Sequence, residues 1–190
     1  MRNFKTDKGY KRPDNQDRYI AGKLANGTAF GFVADGMGGC NAGEVASSSA
    51  IEAFLAHFWE EMKHATVDDM LDMMTGAMSA ANKEVYTKSN SAREFAEMGT
   101  TIVAAAIRED KVYVAHVGDS RAYLFRKREM IPLTTDHSYV MELVKMGNIS
   151  KEEAATHPKR NVITRAIGIK NTVETDTAIH ALQKNDIIVL

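Results

Sequence analysis

Apolar positions along this chain change their period, and each change marks an element. Arg18-Tyr19-Ile20-Ala21 and Thr28 to Ala34 read as β-strands, with Asn26-Gly27 between them as a turn dipeptide. A glycine-rich bend follows, Asp35-Gly36-Met37-Gly38-Gly39. Beyond it Ile51, Phe54, Leu55, Phe58 and Met62 recur at helical spacing, while Glu52 and Glu60 fall off that stripe. Thr66, paired with Asp69, predicts the N-cap of a second helix. Its stripe of Met70, Met74, Ala77, Met78, Ala81 and Val85 reads as core packing, because the flexible thioether fills irregular gaps.

The period then shortens. Thr100 to Ile107, Lys111 to Val117, Arg121 to Phe125 and Met130 to Leu133 are short β-like runs. Glu109-Asp110 and Lys127-Arg128-Glu129 break them at hairpin length, which implies antiparallel pairing. Short helices are expected at Tyr139 to Met146 and, capped by Ser150 with Glu153, at Lys151 to Thr156. Strands at Val173 to Leu182 and Ile187 to Leu190 close the chain. Strands grouped with strands and helices with helices predict an antiparallel α+β architecture. With no repeat, low-complexity tract or Pro/Ser-rich linker, residues 1–190 read as one domain. A hydrophobic strand at the very end, with no covering element after it, is expected of a domain that lacks its last strands and helix.

Bulk properties narrow the class. The 190 residues carry 24 Lys and Arg against 25 Asp and Glu, a net charge of -1. That balance offers no bulk field for a nucleic-acid backbone or an anionic membrane. Cys40 is the single cysteine, so no intrachain disulfide forms and a reducing compartment is expected. The N-terminus lacks the apolar core of a signal peptide, and the apolar run Ile102 to Ile107 falls far short of the ~18 residues a bilayer demands. The expectation is a soluble, cytoplasmic protein.

Chemistry concentrates where strands end. In Phe32-Val33-Ala34-Asp35-Gly36-Met37-Gly38-Gly39 a strand delivers an aspartate to a sharp bend, and Gly36 leaves its carbonyl room to turn toward whatever Asp35 binds. A carboxylate and a carbonyl on one turn suit a hard divalent cation such as Mg²⁺ or Mn²⁺. A structural turn with Asp35 as a helix N-cap accounts for the same residues. Nucleotide folds do not: the third glycine of the dinucleotide fingerprint would fall on Asn41, and no lysine of a Walker loop lies between Lys23 and Lys63. In Arg12-Pro13-Asp14-Asn15-Gln16-Asp17, the arginine is able to grip a phosphate through paired hydrogen bonds, and Asp17 is placed to face Asp35 across a strand pair. Pro-Asp-Asn is also ordinary turn chemistry. Gly118-Asp119-Ser120 puts a further aspartate at a strand end, although a plain hairpin uses the same residues. His116, His137 and His157 lack the short-range spacing of a zinc site. Cys40 reads as a small residue at a helix start.

In this order the stretches Arg12 to Asp17, Val33 to Gly39 with Ala42-Gly43-Glu44, Gly99-Thr100-Thr101, Gly118-Asp119-Ser120-Arg121, Leu133 to Ser138 and His157 to Gly168 resemble the PPM family, the metal-dependent protein Ser/Thr phosphatases of type 2C. The resemblance runs from Thr6 to Leu190, and the motifs are similar to those of bacterial members. It implies two stacked antiparallel sheets flanked by helix pairs. It also implies two Mg²⁺ or Mn²⁺ ions sharing a hydroxide that attacks phosphorus directly. Asp35 then resembles the bridging ligand, the Gly36 carbonyl a second contact, Asp17 an inner or water-mediated ligand, and Arg12 the phosphate clamp. Asp119 resembles a residue that helps hold a third, weaker ion. Gln16 departs from a glutamate in many relatives, and Met37 from a histidine proposed as general acid, a role that methionine does not fill. Further family aspartates would fall beyond Leu190. The implied partners are phosphorylated proteins and an opposing Ser/Thr kinase. A catalytically silent phosphoprotein-binding module is the alternative, against which Arg12, Asp17, Asp35 and Asp119 are all retained.

Overall fold

The computed structural model describes residues 3–10, 14–38, 42–63, 66 and 69–190. In chain order it has β1 (Asp17–Lys23), β2 (Ala29–Met37), α1 (Ala42–Glu61), α2 (Met70–Ser89), a 3-10 turn (Arg93–Phe95), β3 (Gly99–Thr100), β4 (Ile102–Arg108) and β5 (Lys111–Val117). There follow β6 (Tyr123–Arg126), β7 (Glu129–Pro132), α3 (Tyr139–Lys145), α4 (Lys151–Thr156), β8 (Asp176–Ala181) and β9 (Ile187–Val189). The larger sheet runs β1-β2-β4-β5-β8, with β3 extending the pairing of β2; the smaller runs β7-β6-β9. Every strand pair is antiparallel.

The two faces of the larger sheet are buried against different partners. Phe30, Phe32 and Ala34 of β2 join Ile102, Ala104 and Ala106 of β4 in a core with α1 and α2. There Phe32 lies 4.5 Å from Phe54 and 5.5 Å from Phe58, ring centre to ring centre. Met70, Met74 and Met78 of α2 are fully buried in the same core. Each large side chain so buried contributes about 1.5–3 kcal/mol. On the opposite face Val103, Ala105, Val112 and Val114 meet Ala122, Leu124, Leu133 and, partly buried, Ile188 and Leu190. This second core joins the sheets into an α+β sandwich. The unbroken apolar run of β4 follows, because a strand covered on both faces has no polar side to alternate with.

Some boundaries differ from the sequence pattern for local reasons. The second helix starts at Met70 with Asp69 as its N-cap residue. Thr66 spends its backbone N–H (2.9 Å) and its hydroxyl (2.7 Å) donating to Asp69 Oδ2, so the pair forms a turn ahead of the helix. The box at α4 forms as read: Glu153 N–H donates to Ser150 Oγ at 3.2 Å and Ser150 N–H to Glu153 Oε2 at 2.7 Å. The strand expected from Arg121 begins at Tyr123, because the Arg121 guanidinium reaches across to Asp136 in a two-pronged pair of 2.8 and 2.5 Å. Likewise β8 begins at Asp176 rather than Val173, whose side chain packs against the helical core instead. Among the described residues no helix is long and apolar enough to cross a membrane.

Candidate active site

At one end of the sandwich the inter-sheet layer turns from apolar to polar. Asp35 follows Val33 on the face of β2 that looks toward the smaller sheet. β1 and β2 pair so that Asp17 and Asp35 are direct partners, both half-buried. Antiparallel partners share a face with Cβ atoms roughly 4.5–5.5 Å apart, where like charges repel unless something lies between them. Two oxygen-bearing anions so placed suit a hard divalent cation.

The backbone under Asp35 is fixed from several sides. Its N–H donates to Thr101 Oγ1 at 3.1 Å, and its carbonyl accepts from Thr101 N–H at 2.9 Å and from the Thr100 hydroxyl at 2.8 Å. Gly36 N–H donates to the Gln16 carbonyl at 3.1 Å, which also takes the Ser47 hydroxyl at 2.7 Å. The first turn of α1 presses onto this corner so tightly that a Cβ on Gly36 would stand 2.0 Å from the Gly43 carbonyl oxygen. A Cβ on Gly43 would in turn stand 2.2 Å from Gln16 Oε1. Gln16 therefore sits at the joint between strand and helix. Arg18 ties the same joint: it pairs with Glu44 and donates to Ser48 Oγ (3.2 Å) and to the carbonyls of Asn15 (3.1 Å) and Asp17 (2.8 Å). Met37 packs over Gly99, its Cε 2.8 Å from where a Cβ would be. Arg12 and Cys40 lie outside the described residues.

Asp119 stands on the turn after β5, and one hydroxyl links that turn to Asp35. Thr101 Oγ1, which accepts from Asp35 N–H, lies 2.6 Å from Ser120 Oγ. Gly118 bends at φ +109°, and any Cβ there would collide with Thr101 at 2.5 Å. Burial pushes the Asp119 carboxyl above its ordinary pKa, nearby Asp136 adds to the rise, and Arg121 opposes it. A carboxylate disfavoured in this way gains most from a cation beside it.

Two of the three histidines meet in the fold despite their long spacing in the chain. His116 and Asp176 are direct partners between β5 and β8, and His137 stacks on His116 at 4.5 Å and 16°. Ligand atoms of His116, His137 and Asp176 all lie within 4.8 Å of one another. His157 is elsewhere, against Tyr139. Sequence spacing missed this grouping because two of its members come from strands far apart in the chain. Burial lowers the His137 pKa against the upward pull of Asp176. Thr101, Ser120 and His137 lay in the stretches that sequence reading quoted, but without a role in the site, and Arg18 was read only as part of a strand; a hydroxyl beside a strand end carries no signal until the strands pair.

A family model for protein phosphatase 2C matches residues 10–176. The serine/threonine phosphatase stp of Listeria monocytogenes is 38% identical over 98% of this chain and 74% of its own length. The S. agalactiae serine/threonine phosphatase structure superposes with a TM-score of 0.88 at 38% identity, over 96% of this chain and 74% of that one. A structure of the catalytic domain of the serine threonine protein phosphatase PstP in complex with 2 manganese ions has a TM-score of 0.80 at 32% identity, covering 97% of this chain and 73% of that one. The chain belongs to the protein phosphatase 2C family, whose members named here are serine/threonine phosphatases.

Proposed function

We propose that this protein hydrolyses phosphoserine and phosphothreonine in other proteins at a dinuclear Mg²⁺ or Mn²⁺ centre seated on Asp17, Asp35 and the Gly36 carbonyl, with Asp119 serving a third, weaker ion. The observation that carries the reading is the Asp17–Asp35 pair, two carboxylates held face to face on a braced strand end. Divalent cations bound there would supply an activated water at neutral pH and positive charge against the phosphoryl oxygens. The protein's own share is placement. Thr100, Thr101 and the Gly36–Gly43 contact hold the Asp35 backbone still, so that no reorganisation is needed when charge develops. The PstP catalytic domain in complex with 2 manganese ions supports the metal assignment by likeness. Phosphorylated proteins are the substrate class, an opposing Ser/Thr kinase the natural counterpart, and the cytoplasm the compartment that the single cysteine fits.

Release of phosphate from phosphothreonine and phosphoserine peptides should require Mn²⁺ or Mg²⁺, stop on addition of EDTA, and return when Mn²⁺ is restored. Hydrolysis that persists in EDTA would overturn the metal reading. Tight binding of the phosphopeptide without turnover at any Mn²⁺ concentration would instead favour a silent phosphoprotein-binding module.

Arg12→Ala should raise KM for a phosphopeptide about tenfold and weaken product inhibition by phosphate, because a bidentate guanidinium holds substrate and product alike. An unchanged KM in steady-state assays would make Arg12 a structural residue.

A further inference from the structure

The cluster next to Asp119, two buried histidines and the half-exposed Asp176, has the composition of a cation site, yet its hydrogen bonds assign it another task. His137 Nδ1 accepts the backbone N–H of Gly118 at 3.0 Å, so that nitrogen carries no proton. The ring proton is then on Nε2, which faces Asp176 Oδ2 at 3.3 Å. Arg165 Nη1 comes within 3.1 Å of the same Nε2, but both are donors. Its bonds go to Asp176 Oδ1 at 2.6 Å and to the Glu174 carbonyl at 3.2 Å. His116 Nε2 donates to the Thr135 carbonyl at 2.9 Å, because a carbonyl only accepts. A metal ion on His137 Nε2 would force a proton onto Nδ1, directly against the Gly118 N–H, and would sit beside the Arg165 charge. The cluster is thus built to orient a ring rather than to bind a cation.

What the ring holds is the peptide immediately before Asp119. Gly118 is gripped twice by the same residue, its N–H by the His137 ring and its carbonyl by the His137 backbone N–H at 3.0 Å. Its φ of +109° is open to glycine at no steric cost, and these two bonds select it from the several conformations that glycine populates. On the far side of the turn Ser120 is tied to Thr101 and through it to Asp35. We propose that His137 is a positioning residue for the phosphatase reaction. Its Nε2-protonated ring, set by Asp176 and Arg165 and stacked on His116, fixes the Gly118 peptide and thereby the direction in which Asp119 presents its carboxylate to the metal centre. This inference rests on the metal role given to Asp119 above.

The test exploits the shape of two amides. Asparagine places its carbonyl oxygen near the position of Nδ1, so His137→Asn retains an acceptor for Gly118. Glutamine reaches the position of Nε2, so His137→Gln loses that acceptor while still meeting Asp176. In the metal-free protein, amide exchange at Gly118 followed by NMR should be slow in the wild type and in His137→Asn. It should speed up about tenfold in His137→Gln, the effect of one lost hydrogen bond. In p-nitrophenyl phosphate assays the Mn²⁺ concentration for half-maximal rate should rise about tenfold in His137→Gln and stay within about twofold in His137→Asn. Equal behaviour of the two variants in exchange would overturn the proposal. So would a normal Mn²⁺ demand in His137→Gln when Asp119→Asn raises it. If Asp119→Asn leaves that demand unchanged as well, the metal role of Asp119 fails, and the exchange result still decides whether His137 holds the turn. The ¹⁵N spectrum of the wild-type ring decides the tautomer without any variant: an Nδ1–H or doubly protonated His137 in the folded protein at neutral pH would overturn the assignment.

Discussion

Asp35→Asn is expected to lower Mn²⁺-dependent hydrolysis of p-nitrophenyl phosphate by about a thousandfold, the equivalent of roughly 4 kcal/mol of transition-state stabilisation. Asparagine keeps the shape of the side chain, and the bonds that brace this position are made by the Asp35 backbone to Thr100 and Thr101, so they survive. What changes is the donor. A neutral amide oxygen is a poorer ligand for a hard cation, and it offsets none of the charge that two cations bring to the site. In the metal-free protein the same change should leave the melting temperature close to that of the wild type, because the backbone bonds that brace this corner are kept. The combination is diagnostic. Lost activity with an unchanged or higher melting temperature assigns Asp35 to the metals. Full activity at saturating Mn²⁺ would remove it from the site, and lost activity with a collapsed melting temperature would make it part of the scaffold.

The part of this arrangement that was legible beforehand is the part written in local pattern. Asn26-Gly27 marked the hairpin whose register puts Asp17 opposite Asp35, and the glycine-rich bend marked where the strand would deliver it. The Ser150–Glu153 box was readable because both partners lie within one turn. The Thr66–Asp69 pair looked the same in sequence and formed too, but as a turn before the helix, since which group donates is decided by the backbone around it. His116 and His137 were visible as residues, but their convergence on Asp176 was not. His116 meets Asp176 only after β5 and β8 pair, and His137 joins them from the loop before α3. Thr101 is a similar case: its hydroxyl matters because it lies between the Asp35 and Ser120 turns, which are distant in the chain. Metal-ligand candidates at strand ends announce themselves by residue type, whereas the groups that hold them in place are ordinary residues made special by register.

Gly36→Ala carries the second large effect, and it separates placement from ligand chemistry. The substitution leaves every candidate ligand in the chain untouched and adds one methyl group. That methyl would stand 2.0 Å from the Gly43 carbonyl oxygen, 2.6 Å from its carbon and 2.8 Å from the Gln16 carbonyl oxygen. All of these are backbone atoms, so no side chain is able to swing away, and relief requires the first turn of α1 to move off the end of β2. The Gly36–Gln16 bond and the Ser47–Gln16 bond cross the same joint and would be strained together. Overpacking of this kind costs about 3 kcal/mol. For a chain of this size that corresponds to a fall in melting temperature of roughly 6–12 °C. Because β1 and β2 would be pushed apart beside Asp17 and Asp35, Mn²⁺ affinity should fall in the portion that remains folded. Calorimetric titration well below the lowered melting temperature should therefore show weaker Mn²⁺ binding although both aspartates are present. A Gly36→Ala protein that melts within about a degree of the wild type and binds Mn²⁺ equally well would show that α1 is free to recede without disturbing the site. The close helix–strand contact would then have no part in holding the metals.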